Sequence, residues 1–259
     1  MKIIIVTGAS SGLGREYIRE INRSKKESAD EIWAIARRED RLRELAGISK
    51  IKVRPFPMDL TEPESIDSLR KLLEKEKPAV TLLINAAGFG KIGNYSSVSM
   101  ADSDRMIELN CRAAVDMTCI CLPYMREGAR IMQICSTAGF QPFQHLNVYA
   151  ASKAFLYRYS RALRVELFPR RIRVTAVCPY WIRDTEFIPV AKNLPGKGKA
   201  IRHFPLSSTV HSVAVHSLID SRLGLPVSTP GIVCTLHRIA AKFIPSELMM
   251  GVWALLRRV

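Results

Sequence analysis

Lys2-Ile3-Ile4-Ile5-Val6-Thr7-Gly8-Ala9-Ser10-Ser11-Gly12-Leu13-Gly14 is the stretch whose reading decides the fold. Lys2 to Val6 is a short β-branched run, the composition of a buried first strand. Arg15 to Arg23, behind the last glycine, have helical periodicity. A glycine motif gains meaning when a strand leads into it and a helix leaves it. The glycines let the backbone turn tightly and come close to a pyrophosphate. The helix N-terminus offers free N–H groups and a partial positive charge. The spacing Gly8-x-x-x-Gly12-x-Gly14 differs from the commoner Gly-x-Gly-x-x-Gly. A surface loop rich in small residues is the competing reading.

The pattern continues outward from this unit. Glu31 to Arg37 reads as a second strand, ending in Ala36-Arg37-Arg38. In dinucleotide folds that end tests the adenosine ribose, and an acidic residue there would bind the 2′-hydroxyl of NAD. Arginine instead suits a 2′-phosphate through its planar donors, so Arg37, helped by Ser10, Ser11 and Arg15, points to NADP. A solvated arginine pair at a helix start is the alternative. Ile51 to Phe56 is a third strand, followed by Met58-Asp59-Leu60-Thr61. Asp59 either meets the adenine amino group or caps the next helix, which runs to Lys77. Val80 to Ile84 is a fourth strand, and the small residues of Asn85-Ala86-Ala87-Gly88 leave room for a cofactor to cross the strand ends. Ala101 to Arg126 reads as one long helix with Asn110 in its middle, a buried amide that needs a partner. Arg130 to Cys135 and Arg173 to Val177 are the fifth and sixth strands, with a helix from Val148 to Leu167 between them.

That last helix carries Tyr149-Ala150-Ala151-Ser152-Lys153. Residues four apart share a helix face, so the phenol and the ammonium can meet. A free phenol, with a pKa of about 10, is a poor base at neutral pH. A neighbouring ammonium favours the phenolate. The pair can then take a proton from an alcohol or return one to a ketone. Ser136, at the exit of the fifth strand, falls at the mouth of the same sheet. Tyr-x-x-x-Lys alone is equally what an amphipathic helix face looks like.

Composition sets the bounds. The chain has 259 residues, 47% hydrophobic and 24% charged, enough for one α/β domain with a full core. Its six cysteines lie singly in apolar segments with no Cys-x-x-Cys pair. They read as reduced core residues of a cytoplasmic protein and argue against a metal site. A net charge of +15 favours anionic partners such as a phosphorylated cofactor, an acyl-carrier protein or a membrane surface. Lys and Arg are dispersed rather than clustered with aromatics, which argues against nucleic acid. Met1 leads straight into the first strand, so no signal peptide is expected, and no apolar run is long enough to span a bilayer.

Together, Thr7-Gly8-x-x-x-Gly12-x-Gly14, Asp59, Asn85-x-Ala87-Gly88, Asn110, Ser136 and Tyr149-x-x-x-Lys153 resemble the short-chain dehydrogenase/reductase family over roughly residues 1 to 185. The resemblance implies a doubly wound, mostly parallel seven-stranded Rossmann-type sheet with helices on both faces. It also implies hydride transfer between NAD(P) and a carbinol or carbonyl carbon. It makes Tyr149 the general acid/base, with Lys153 lowering its pKa and holding the nicotinamide ribose. Ser136 would bind the substrate oxygen, and Asn110 would fix a water linking Lys153 to solvent. Gly8, Ser10, Ser11, Gly12, Leu13, Gly14, Arg37, Asp59, Leu60 and Asn85 to Gly88 would hold the dinucleotide, with Asn110, Tyr149, Lys153, Pro179, Ile182 and Thr185. Two departures stand out. Ala86 replaces a usual asparagine. In Pro179-Tyr180-Trp181-Ile182-Arg183-Asp184-Thr185, the usual glycine is Tyr180 and the threonine comes one residue late.

Residues 186–225 are expected to form a substrate lid with two helices and a basic tip, and Val227 to Gly231 a seventh strand and its exit. Residues 232–259 extend the single domain as two helices broken at Pro245. The second, apolar helix would cover the pocket, pack at a dimer interface or lie on a membrane. Phe140, Phe143, Leu146, Tyr180, Trp181, Phe187 and Ile188 are the expected pocket lining. They suit a bulky apolar alcohol or ketone, such as a hydroxysteroid or a long acyl chain. A 3-oxoacyl-carrier-protein reductase docking at Lys197, Lys199 and Arg202 is the alternative. An inactive NADP-binding regulator is the rival from another class. A homodimer or homotetramer is expected from the resemblance, through the helices of Asn110 and Tyr149. His145 either meets substrate or is simply exposed.

Overall fold

The computed structural model describes residues 1–24, 26–193 and 206–256. Seven strands form one sheet in the order β3-β2-β1-β4-β5-β6-β7, and every adjacent pair is parallel. They are β1 (Lys2–Thr7), β2 (Glu31–Ala36), β3 (Lys52–Pro57), β4 (Ala79–Asn85), β5 (Arg130–Ile134), β6 (Arg173–Val177) and β7 (Val227–Ser228). Parallel strands need crossovers, and the helices of those crossovers cover both faces. Strand alternation divides the core accordingly. Ile4 and Val6 pack with Ile18, Ile21 and Leu218 on one face. Ile3 and Ile5 pack with Trp33, Met117 and Leu163 on the other. The strand order reverses between β1 and β4. In open α/β sheets, the crevice beyond the strand ends at such a reversal is where ligands bind.

On the first face lie α1 (Gly12–Ser24) and α8 (Val210–Leu223), joined by a Tyr17–Ser217 hydroxyl contact of 2.7 Å. This corrects the expected lid. Residues 210–223 are a sheet-covering helix, and among the described residues of that span the segment near the cavity is the loop after β6 with the short α7 (Phe187–Lys192). The basic tip with Lys197, Lys199 and Arg202 lies outside the described residues, as do Arg257 and Arg258. Around the rest of the sheet are α2 (Glu39–Ile48), α3 (Pro63–Glu76) and α6 (Asn147–Glu166), with the C-terminal α9 (Ile232–Phe243) and α10 (Ser246–Leu256) beyond β7.

The long helix expected over 101–126 is broken. It consists of α4 (Met100–Ile107), a π-helical turn over Glu108–Arg112 and α5 (Ala113–Cys121), closed by a 3₁₀ turn at Leu122–Tyr124. A π turn inserts one extra residue and often marks a functional position. Here it carries Asn110, whose side chain is fully buried. Asn110 Nδ2 donates to the Phe89 carbonyl at 2.9 Å and to Ser152 Oγ at 3.0 Å, while its Oδ1 accepts the Phe89 N–H at 3.0 Å. The amide thereby clamps the chain after β4 to α6.

Candidate active site

The exits of β1 and β4 are locked together first. Thr7 Oγ1 accepts the N–H groups of both Ala86 and Ala87 at 3.0 Å. Gly8 follows at φ +67°, and a Cβ there would fall 2.8 Å from the Ala86 oxygen and the Ala87 nitrogen. Only glycine fits that conformation and that approach without displacing backbone. Thr7 carries this contact, yet its place in the motif alone does not announce it.

From this junction a cavity of about 380 Å³ runs along the strand ends. One end is lined by Gly8, Ser10, Ser11, Gly12, Leu13 and Gly14, with Arg37, Arg38, Asp59 and Leu60 around them. Ala86, Ala87, Gly88, Pro179, Ile182 and Thr185 line its middle. Thr185 reaches the glycine turn despite its shifted spacing: a Cβ on Gly12 would lie 3.7 Å from the Thr185 side chain. Asn85 is not brought to the cavity. Its amide donates to the Ala114 carbonyl and to Thr118 Oγ1, both at 3.1 Å, and ties β4 to α5.

Arginine dominates the glycine-turn end. Arg37 is exposed and lies 3.7 Å from Asp59. Arg38 donates through Nε to Ser10 Oγ at 3.3 Å, so it too reaches the turn. Arg15 does not help there, because Glu44 of α2 takes its guanidinium. Asp59 is not a helix cap. Its Oδ1 accepts the Thr61 N–H at 3.0 Å and the Thr61 hydroxyl at 2.8 Å. Burial raises its pKa, but Thr61, Arg37 and Arg105 outweigh that and hold it below the usual carboxylate value.

The other end holds the candidate chemistry. Tyr149 lies in the first turn of α6, and Ser136 caps the turn after β5, where its Oγ accepts the Ala138 N–H at 3.1 Å. Tyr149 and Ser136 both line this end of the cavity. Burial pushes the Tyr149 phenol up to about 12, and Ser136 only partly opposes it. The Lys153 ammonium donates to the Ile134 carbonyl at 2.8 Å and sits 5.8 Å from the Tyr149 ring centre. Burial lowers its own pKa. Gly88 lies between Asn110 and Lys153: a Cβ there would be 2.8 Å from Asn110 Oδ1 and 3.3 Å from Lys153 Nζ. Gly90, absent from the sequence reading, is equally close-fitted. A Cβ on it would lie 2.7 Å from the Tyr149 ring and 3.0 Å from the Phe187 ring.

Around Tyr149 the wall is apolar: Phe89, Phe143, Leu146, Trp181, Phe187 and Trp253, with Tyr180 and Val190 nearby. Trp253 comes from α10, stacks edge-on against Phe143 at 5.0 Å and donates its indole N–H to the Gln144 carbonyl at 3.2 Å. The C-terminal helix thus contributes Trp253 to the wall. Phe140 is not part of the wall; it packs against Tyr157 and His237. Ile188 also lies off it, as does His145, at φ +66° in the preceding loop.

The arrangement fits a dinucleotide. The backbone cradle admits no Cβ at Gly8, arginines stand at one end, and a phenol and a serine hydroxyl stand at the other.

A short chain dehydrogenase family model matches residues 2–192. Sulfoacetaldehyde reductase 2 of Chromohalobacter salexigens is 34% identical over 194 residues, 71% of this chain and 74% of that protein. The NADP-dependent 3-hydroxy acid dehydrogenase YdfG of Shigella flexneri is 32% identical over 188 residues, 71% of this chain and 74% of its own. Among solved structures, a short-chain dehydrogenase from Sphingobium yanoikuyae in complex with NADPH superposes with a TM-score of 0.78. It is 26% identical, and the match covers 96% of this chain and 95% of that one. With the family pattern matched from the glycine turn through the Tyr149 helix and into α7, this chain belongs to the short chain dehydrogenase family of oxidoreductases.

Proposed function

We propose that the chain is an NADP(H)-dependent oxidoreductase that interconverts a bulky apolar ketone and its secondary alcohol. The observation that carries this is the continuity of one cavity, from the arginines and serines at the glycine turn to the Tyr149–Ser136 pair in an apolar wall. Arg37, Arg38 and Ser10 supply donors suited to a 2′-phosphate, with no carboxylate at the end of β2 itself. The bound dinucleotide supplies the hydride for reduction and accepts it in oxidation. All else falls to the chain.

Ser136 orients the carbonyl oxygen, and Tyr149 gives it a proton from the hydroxyl that burial keeps protonated. Lys153, buried like Asn110 and close to Gly88, stands one helical turn behind Tyr149 and would hold the ribose. The aromatic wall excludes water and holds the substrate's apolar body.

Two partner readings accompany this. Self-association as a homodimer or homotetramer is supported by exposed apolar residues on α4 and α6, including Ile107, Phe155 and Val165. Peripheral membrane contact is supported by α9 and α10. Ile232, Leu236, Ile239 and Phe243 form one exposed stripe, and Leu248, Val252 and Leu255 another. Glu247 is the sole acidic residue of those two helices, on a chain of net charge +15. That suits the surface of an anionic bilayer. Among the described residues no helix is long and apolar enough to cross a membrane. A cytoplasmic location, with its cysteines reduced, belongs to the same reading.

The function is tested by following NADPH oxidation against oxosteroids, acetoacetyl thioesters and small polar ketones. Turnover concentrated on the bulky apolar ketones is expected. Turnover confined to polar ketones would overturn the substrate reading, and preference for acetoacetyl thioesters would favour the carrier-protein alternative.

A further inference from the structure

Glu186 sits where the loop after β6 enters α7, and its carboxylate divides between two arginines of a distant element. Its Oε2 accepts from Arg38 Nη1 at 2.8 Å, and its Oε1 accepts from Arg41 Nη1 at 2.5 Å. Arg38 and Arg41 belong to the exit of β2 and the first turn of α2, nearly 150 positions earlier. Arg38 also reaches Ser10 of the glycine turn, and Arg38, Glu186 and Ser10 all line the cavity. One carboxylate thus occupies two guanidiniums, and Arg38 with the neighbouring Ser10 hydroxyl is a donor set that a phosphate monoester could take.

We propose that Glu186 is a cofactor-specificity residue: its carboxylate occupies Arg38, one of the donors that the 2′-phosphate of NADP(H) needs, and the phosphate must take Arg38 from it. This rests on the NADP reading above. A phosphate monoester carries roughly −1.5 to −2 charges near neutrality, against one on a carboxylate, so it wins the exchange. Its net gain is what remains after the carboxylate is displaced. NAD(H), lacking that phosphate, leaves the Glu186 pairs intact. The residue therefore holds the arginines in order and lowers the affinity for NADPH without touching the affinity for NADH.

The side chains are about one-third to two-fifths exposed, at 40% for Arg38, 43% for Glu186 and 34% for Arg41. Exposed pairs contribute modestly, so the effect should be about three- to tenfold in dissociation constant. The test is titration of the full-length protein and of Glu186→Gln with NADPH, NADH, 2′,5′-ADP and 5′-ADP, at low and at high salt. The variant should bind NADPH and 2′,5′-ADP about three- to tenfold more tightly, with NADH and 5′-ADP within about twofold and the difference shrinking at high salt. Glu186→Ala should give the same order. Unchanged or weaker binding of the phosphorylated ligands, or equal tightening of all four, overturns the inference. If the unmodified protein prefers NADPH but the variants do not gain, Glu186 alone has been misassigned. If it binds NADPH and NADH equally, the NADP reading fails and this inference falls with it.

Discussion

Tyr149 is the residue on which the chemistry turns, and its environment gives it a definite acidity. Burial holds the phenol up to about 12, so the free protein carries Tyr149 protonated through the whole neutral range. A raised pKa means the folded chain keeps the proton after an exposed tyrosine has lost it. Its contribution to stability is therefore full below about pH 10 and is lost as pH rises toward 12. Ultraviolet titration of the free protein, with the titration of Tyr149→Phe subtracted, should show no tyrosinate from this residue below about pH 11. A transition near pH 7 to 8 in that difference would mean that Lys153 already depresses the phenol and that burial has been overstated. At this scale the sequence was legible where function depends on residue type at short spacing. Tyr149, Lys153, Ser136 and the glycines meet in the cavity as their spacing suggests. Asn85 was misread because its amide finds α5 instead. Glu186 was invisible because its partners lie on another element that only folding brings near.

At the scale of elements, the π turn over Glu108–Arg112 does most to position the site. Periodicity runs smoothly through 101–126, so one helix was the natural reading; a single inserted residue leaves no compositional trace. The partner that the buried amide required is the Phe89 main chain. Asn110→Ala removes the side-chain partner of the half-buried N–H and carbonyl of Phe89. It should lower unfolding free energy by about 1–3 kcal/mol in denaturant melts, along with turnover. An unchanged midpoint would show that the clamp contributes nothing. The C-terminal helices make a separate prediction. Trp253 closes the apolar end, so Trp253→Ala should raise the KM for the best bulky ketone about tenfold, from lost apolar contact. NADPH binding should be untouched. Equal KM values would place the substrate elsewhere. Residues 210–223 show the converse limit of sequence reading. Their apolar positions are those of a helix, but nothing local says that the helix covers α1 rather than the substrate.

For the whole molecule, two features are joined: a topological reversal at β1 and β4 that opens the cavity, and an apolar wall whose outer side is itself exposed. The fold was legible almost strand by strand, because parallel strands buried on both faces appear as continuous apolar runs. The surface was less so, since the burial of α9 and α10 depends on what they pack against. The protein should sediment with anionic vesicles more than with neutral ones, and the double variant Leu236→Glu with Val252→Glu should abolish this. Failure of the parent protein to sediment would contradict the membrane reading. So would a fall in the variant's mass by light scattering, which would assign the face to contacts between copies.

The central claim is proton transfer by Tyr149 beside a bound NADP(H). Its most direct measurement is single-turnover oxidation of NADPH by the best apolar ketone, in the parent protein and in Tyr149→Phe, with NADPH affinity measured alongside. Tyr149→Phe should lose at least about 10²-fold in rate with the dissociation constant unchanged. A Tyr149→Phe protein that turns over at the parent rate would contradict it.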